Sequence, residues 1–147
     1  MVSGTFTKTI DAPPAAVWPW IGQLERHAEW SPKTFTAELV SGEPGAVGSR
    51  YRSVGWVPGD KHHSNDVTIV EMVPEQRLEL RSDDPQGSFK NAYALRPVGG
   101  GTEVVYEIVF PEMKGVLKLM LPVLFPLIAK RDISKRLDLL KQKVEAG

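Results

Sequence analysis

The sequence predicts an α+β fold in which a curved antiparallel sheet of about seven strands wraps a long C-terminal helix, with two short helices after the first strand. Three observations predict it. From Thr34 to Phe110 apolar and polar residues alternate with period two. The connections within that stretch are short and carry glycine, proline or aspartate, which forces neighbouring strands to run antiparallel. After it, the chain returns to helical spacing.

Taken in order, Thr5 to Ile10 alternates and reads as the first strand. Asp11 offers an N-cap, and Pro13 and Pro14 suit the first turn of a helix carrying Val17, Ile21 and Leu24, its apolar face widened by Trp18 and Trp20. Pro19 predicts that this helix is short or kinked, because it removes a hydrogen bond and crowds the preceding turn. A second short helix is expected over Glu25 to Trp30, ending before Pro32, with His27 on its surface. Six strands follow: Thr34–Val40, Ser49–Val57, Asp66–Val73, Gln76–Ser82, Ser88–Arg96 and Thr102–Phe110. In the final helix Ile133, Leu137, Leu140 and Val144 form an apolar stripe, with Lys135, Arg136, Asp138, Lys141 and Lys143 mostly off it. Projected backwards at about 100° per residue, the stripe passes through Lys130, Leu127 or Pro126, Val123 and Leu119. Leu117, Leu121, Leu124 and Ile128 then fall on the opposite side, so this half is apolar nearly all round. Either Pro122 and Pro126 kink the helix and re-aim its faces, or a second surface is covered.

Length and composition narrow the function. A chain of 147 residues fits a single domain, residues 1–147. The absence of cysteine excludes disulfides, thiolate metal sites and cysteine nucleophiles, and fits a reducing compartment. With 18 basic and 18 acidic residues and no basic stripe, the chain lacks the footprint of a nucleic-acid binder. Met1 to Ile10 does not resemble a signal peptide, and the apolar stretch from Val116 to Ala129 is too short and too broken for a transmembrane segment. These features point to a soluble, cytoplasmic protein.

Several strings, in this order, resemble the START-like or SRPBCC superfamily, which includes the birch pollen allergens and the polyketide cyclase/dehydrase group. They are Asp11-Ala12-Pro13-Pro14 before Val17-Trp18, then Glu29-Trp30-Ser31-Pro32. Val70-Glu71-Met72-Val73-Pro74 through Arg77-Leu78 follows, then Gly99-Gly100-Gly101-Thr102-Glu103-Val104 and the closing Leu139-Leu140-Lys141. The resemblance spans nearly the whole chain. It implies a helix-grip fold with a hydrophobic cavity rather than a reaction, since superfamily members include carriers, cyclases, receptors and co-chaperones.

Candidate site residues follow from strand faces. Phe89, Asn91 and Tyr93 share one face of their strand, and Tyr106, Ile108 and Phe110 share one face of the next. If both faces point inward they line an apolar pocket with a few polar tips; alternatively the rings fill the space. Tyr51 and Ser53 face the same hollow if Arg50 and Arg52 point out, and a register slip of one residue reverses this. Trp30 is either cavity wall or a core tryptophan with its N–H satisfied. Leu119, Val123 and Leu127 are the expected contribution of the helix.

His62, His63 and Asp66 could shuttle protons, yet follow Pro58-Gly59-Asp60 in what reads as an exposed turn. Gly42, Gly45 and Gly48 lack the Lys-Ser or Lys-Thr of a phosphate loop and suit a hairpin gating the cavity. No catalytic set, metal site or cofactor site stands out. The expected activity is binding or transport of a hydrophobic small molecule such as a lipid, polyketide or isoprenoid. The alternatives are a cyclase or dehydratase using Tyr93, Tyr106, Asn91 or His62, and an interaction module. The last would use the face of Leu117, Leu121, Leu124 and Ile128 for a homodimer or transient membrane contact.

Overall fold

The computed structural model describes residues 2–57, 60–85, 87–111 and 114–147. Seven strands form one sheet: β1 (Val2–Ile10), β2 (Phe35–Ser41), β3 (Arg50–Val57), β4 (Asp60–Val73), β5 (Arg77–Asp84), β6 (Gly87–Val98) and β7 (Gly101–Phe110). Their order is β1-β7-β6-β5-β4-β3-β2, with every neighbouring pair antiparallel. Since β1 and β2 are the two edges, the chain between them must cross the sheet. It does so as α1 (Pro14–Gly22) and a 3-10 helix (Leu24–Trp30). Val17, Ile21 and Leu24 pack into the core from this crossing. Thr102 ties its start to β7, its hydroxyl donating to the Ala12 carbonyl at 2.7 Å.

Strand β4 departs most from expectation. It starts at Asp60, so His62 and His63 lie in a strand instead of a turn. Both faces of this stretch are polar, which hides the period-two signal; pairing with β3 through Gly55↔His63 and Ser53↔Asn65 holds it extended. Pro58 and Gly59, part of the expected turn, lie outside the described residues. The Gly42 to Gly48 loop is tied down. Gly48 N–H donates to the Ile69 carbonyl at 2.8 Å and Gly45 N–H to the Tyr51 hydroxyl at 3.1 Å. At Gly42, φ is 88° and an added Cβ would meet Ser49 Oγ at 2.5 Å, so this turn requires glycine.

The C-terminal helix has three parts: α2 (Gly115–Ile128), a π-helical turn (Ala129–Ile133) and α3 (Ser134–Ala146). Leu121, Phe125, Ala129, Ile133 and Leu137 are all buried, at a constant step of four. Four residues of an α-helix advance about 400°, so an unbroken helix would drift off the sheet by about 40° per step. The wider π turn takes up that drift. It also rephases everything before it. Leu119, Val123 and Leu127, expected to face inward, are instead 79%, 70% and 60% exposed. The opposite face holds Leu121, buried, and Leu124, half-buried; the side chains of Leu117 and Ile128 lie outside the described residues.

A candidate ligand cavity between sheet and helix

A cavity of about 300 Å³ lies between the concave face of the sheet and the C-terminal helix. Its floor alternates along each strand as the pleat requires. Tyr51 and Ser53 come from β3, and Asn65 and Val67 from β4. Leu80 and Ser82 come from β5; Phe89, Asn91 and Tyr93 from β6; Tyr106, Ile108 and Phe110 from β7. Register sets these in rows, with Leu80, Asn91 and Ile108 opposite one another and Tyr93 beside Tyr106. The roof is Leu121 and Phe125 of α2, then Asp132, Ile133 and Arg136. Leu24 and His27 of the 3-10 helix, with Phe35 and Ala37 of β2, close one side.

Two hydrogen-bonded polar clusters reach the cavity. In the first, Tyr93 and Tyr106 stack with centroids 4.7 Å apart, and the Arg136 guanidinium donates to the Tyr93 hydroxyl at 3.2 Å. That guanidinium also sits 4.8 Å over the Trp30 ring. Burial opposes its charge, but the phenol oxygens of Tyr93 and Tyr106 outweigh this and hold it as a cation. Burial likewise pushes the Tyr106 phenol up, keeping it protonated. His27 packs against Trp30 at 4.7 Å and donates its Nε2 proton to the Ile21 carbonyl at 2.7 Å. Burial pushes its pKa down to about 3, with repulsion from Arg136 adding to the shift against the Ile21 hydrogen bond. The ring is therefore neutral, with Nδ1 as its basic nitrogen.

In the second cluster, Asn65 on the cavity wall donates to Asp84 Oδ2 at 2.7 Å when its amide is oriented to satisfy both neighbours. Asp84 pairs with His63 Nε2, and His63 Nδ1 faces Asp60 Oδ2 at 3.3 Å. The Asp84 hydrogen bond, against some desolvation, raises the His63 pKa. His62 donates its backbone N–H to Asp60 at 3.0 Å. Asp66 pairs with Arg52 at 3.7 Å instead of with either histidine. Among the described residues no group of three or more His, Cys, Asp or Glu side chains is arranged to hold a metal.

Eight of the residues read from the sequence line the cavity together: Tyr51, Ser53, Phe89, Asn91, Tyr93, Tyr106, Ile108 and Phe110. Four do not. Trp30 is fully buried behind His27, its indole N–H given to the Trp20 carbonyl at 3.0 Å, so it backs the wall without forming it. Leu119, Val123 and Leu127 are turned out by the rephased helix. His27, expected on a surface, is 4% exposed. Its signal is a period of three: Leu24, His27 and Trp30 share one face of a 3-10 helix. Arg136 also escapes the sequence reading, although it lies three residues after Ile133 and four before Leu140, both on the buried stripe.

Sheet, grip helix and internal cavity together define a START-like protein of helix-grip architecture. The chain matches the family model described as polyketide cyclase / dehydrase and lipid transport over residues 1–145, and it belongs to that family. Solved structures share the fold. TTHA0849 from Thermus thermophilus superposes with a TM-score of 0.75 at 21% identity, covering 99% of this chain and 98% of that one. Ara h 8.0201 gives 0.75 at 15% identity with 99% of each chain covered. Protein CV1439 from Chromobacterium violaceum gives 0.73 at 19% identity, covering 97% and 96%. No curated protein matches at a significant level.

Proposed function

We propose that this protein binds and carries a hydrophobic small molecule, of the lipid, polyketide or isoprenoid kind, without transforming it. The observation that carries this reading is the cavity itself, whose wall is largely apolar and broken by a few polar groups. Its volume is at the lower end of small-molecule sites, which suits one chain or one compact ring system. Burial of the ligand's apolar surface at about 25 cal/mol per Å² supplies affinity, while tyrosine and asparagine groups orient it. We assign its working compartment to the cytoplasm, since a chain without cysteine fits a reducing environment. Among the described residues no helix is long and apolar enough to cross a membrane.

Native mass spectrometry of the purified protein, followed by organic extraction, tests this. A stoichiometric hydrophobic adduct is the expected result. Failure of every apolar probe to enter the cavity overturns the reading.

A second reading, a cyclase or dehydratase, is favoured by one observation: a neutral imidazole, His27, and two phenols, Tyr93 and Tyr106, share one end of the cavity. Folding a flexible substrate there would supply orientation, with these groups moving a proton. His62 has no place in it, since it lies off the cavity wall. Conversion of a bound polyketone chain by wild type but not by Tyr93→Phe would favour it over the carrier reading.

A further inference from the structure

Arg136 is a permanent cation on the wall of an apolar cavity. Among the described residues neither it nor Asp132, the other charged group on that wall, takes part in an ion pair. The two are four residues apart, but the π turn ends between them, and Asp132 is not among the groups that set the charge state of Arg136. Arg136 is half-buried, and a charge drawn partly out of water normally has a carboxylate beside it. Here the guanidinium carbon sits 4.8 Å over the Trp30 ring, and one N–H goes to the Tyr93 hydroxyl. The planar fork has five N–H donors, so donors remain for a further acceptor. The Tyr93 oxygen is already an acceptor from Arg136, which leaves its own proton to give. The neighbouring Tyr106 phenol is held protonated by burial.

We propose that Arg136 anchors an anionic head group and that the molecule held in the cavity is a hydrophobic carboxylic acid. This inference rests on the cavity being a ligand site and names the class of ligand. One carboxylate oxygen pair takes two N–H groups of the fork, the geometry for which arginine is suited. A tyrosine hydroxyl adds a third donor. The hydrocarbon part then lies along Ile108, Phe110, Leu121 and Phe125, away from the charged end.

The test is displacement of a neutral apolar fluorophore, N-phenylnaphthylamine, by decanoic acid, decanol and decyltrimethylammonium at neutral pH. In the wild-type protein decanoate is expected to bind about tenfold tighter than decanol, a difference of about 1.4 kcal/mol, and the ammonium weakest. Arg136→Gln should bring decanoate down to the level of decanol while leaving decanol unchanged. Arg136→Lys, which keeps the charge but loses the fork, should retain part of the preference. Equal binding of acid and alcohol by wild type, or a preference that survives Arg136→Gln, overturns the proposal. If the Arg136 variants fail to fold, the wild-type comparison decides it, with Tyr93→Phe expected to narrow the preference. Decanol binding without acid preference removes the anchor alone. If neither the fluorophore nor decanol enters, the ligand-binding reading falls as well.

Discussion

Helices α2 and α3 follow one another along the C-terminal segment, and they are built on opposite rules. Helix α3 presents Leu137, Leu140 and Val144 to the core and, Arg136 on the cavity wall apart, keeps its charges outside. Those charges clamp it to β1 and to the turn after it. Lys8 pairs with Asp138 at 2.5 Å, Lys141 donates to the Thr9 carbonyl at 3.0 Å, and the Asp11 N–H donates to Glu145 at 2.7 Å. Helix α2 has Lys118 as its one charged residue and turns Val116, Leu119, Met120, Val123 and Leu127 to the outside. Two buried side chains among those described, Leu121 and Phe125, hold it over the cavity. The two helices divide the labour: α3 fastens the domain, and α2 roofs the cavity with few contacts of its own. Few buried contacts mean a low local cost of opening.

Truncating one buried side chain in each half separates the two roles. Leu140→Ala, in a site with no exposure, is expected to destabilise the whole domain by about 2–5 kcal/mol, read from urea unfolding. Phe125→Ala should cost less global stability and instead loosen the roof. If Phe125→Ala proves as damaging as Leu140→Ala, α2 is no separate roof. Hydrogen exchange is expected to be faster in α2 than in α3, and equal protection would contradict the division.

A pH titration sharpens the picture at the α3 end, where His27 packs against Trp30 near Arg136. The folded pKa of about 3 lies below the ordinary value of 6.5, so between those values the unfolded chain binds a proton that the folded chain refuses. Stability therefore rises with pH across that window and is lost as pH falls from 6.5 towards 3. At about 1.4 kcal/mol for each pH unit between the two values, the loss reaches a few kcal/mol. His27→Gln, which keeps a donor for the Ile21 carbonyl, should flatten this part of the stability–pH curve; an unchanged slope would remove His27 from the account. His63 works in the opposite sense. Its raised pKa gives stability that is present below the ordinary histidine range and lost as pH rises through the folded value. Being partly exposed, it should contribute less than about 1 kcal/mol.

The smallest expected effect is on the outer face of α2. Leu119→Lys with Val123→Lys should alter unfolding stability by no more than about 0.5 kcal/mol per site, because both side chains already stand in water. Size-exclusion profile and vesicle binding of this variant should match wild type if the face has no partner. A change in either would show that the face is used for self-association or membrane contact.

The strands are legible because half-buried antiparallel strands write their burial into period two. Phe89 and Tyr93 can therefore be grouped on one strand face and Tyr106 and Ile108 on the next from the sequence, while the inward direction of these faces, and that of Tyr51, needs the register the structure supplies. The short helix can be located, but not the burial of His27, since a 3-10 period of three differs little from an α period over seven residues. Strand β4 before Asp66 is silent because both of its faces are polar and only cross-strand pairing holds it extended.

The order of elements, the antiparallel sheet and the grouping of residues on its strand faces are readable from the sequence, since these depend on local alternation and on short connections. Which side of α2 faces the cavity, and that Arg136 reaches it, are set by packing. Helix phase accumulates over many residues, so one wide turn at Ala129–Ile133 redirects every side chain before it. No local pattern records that rotation. The identity of the cavity's roof and its charged pole is therefore a property of packing.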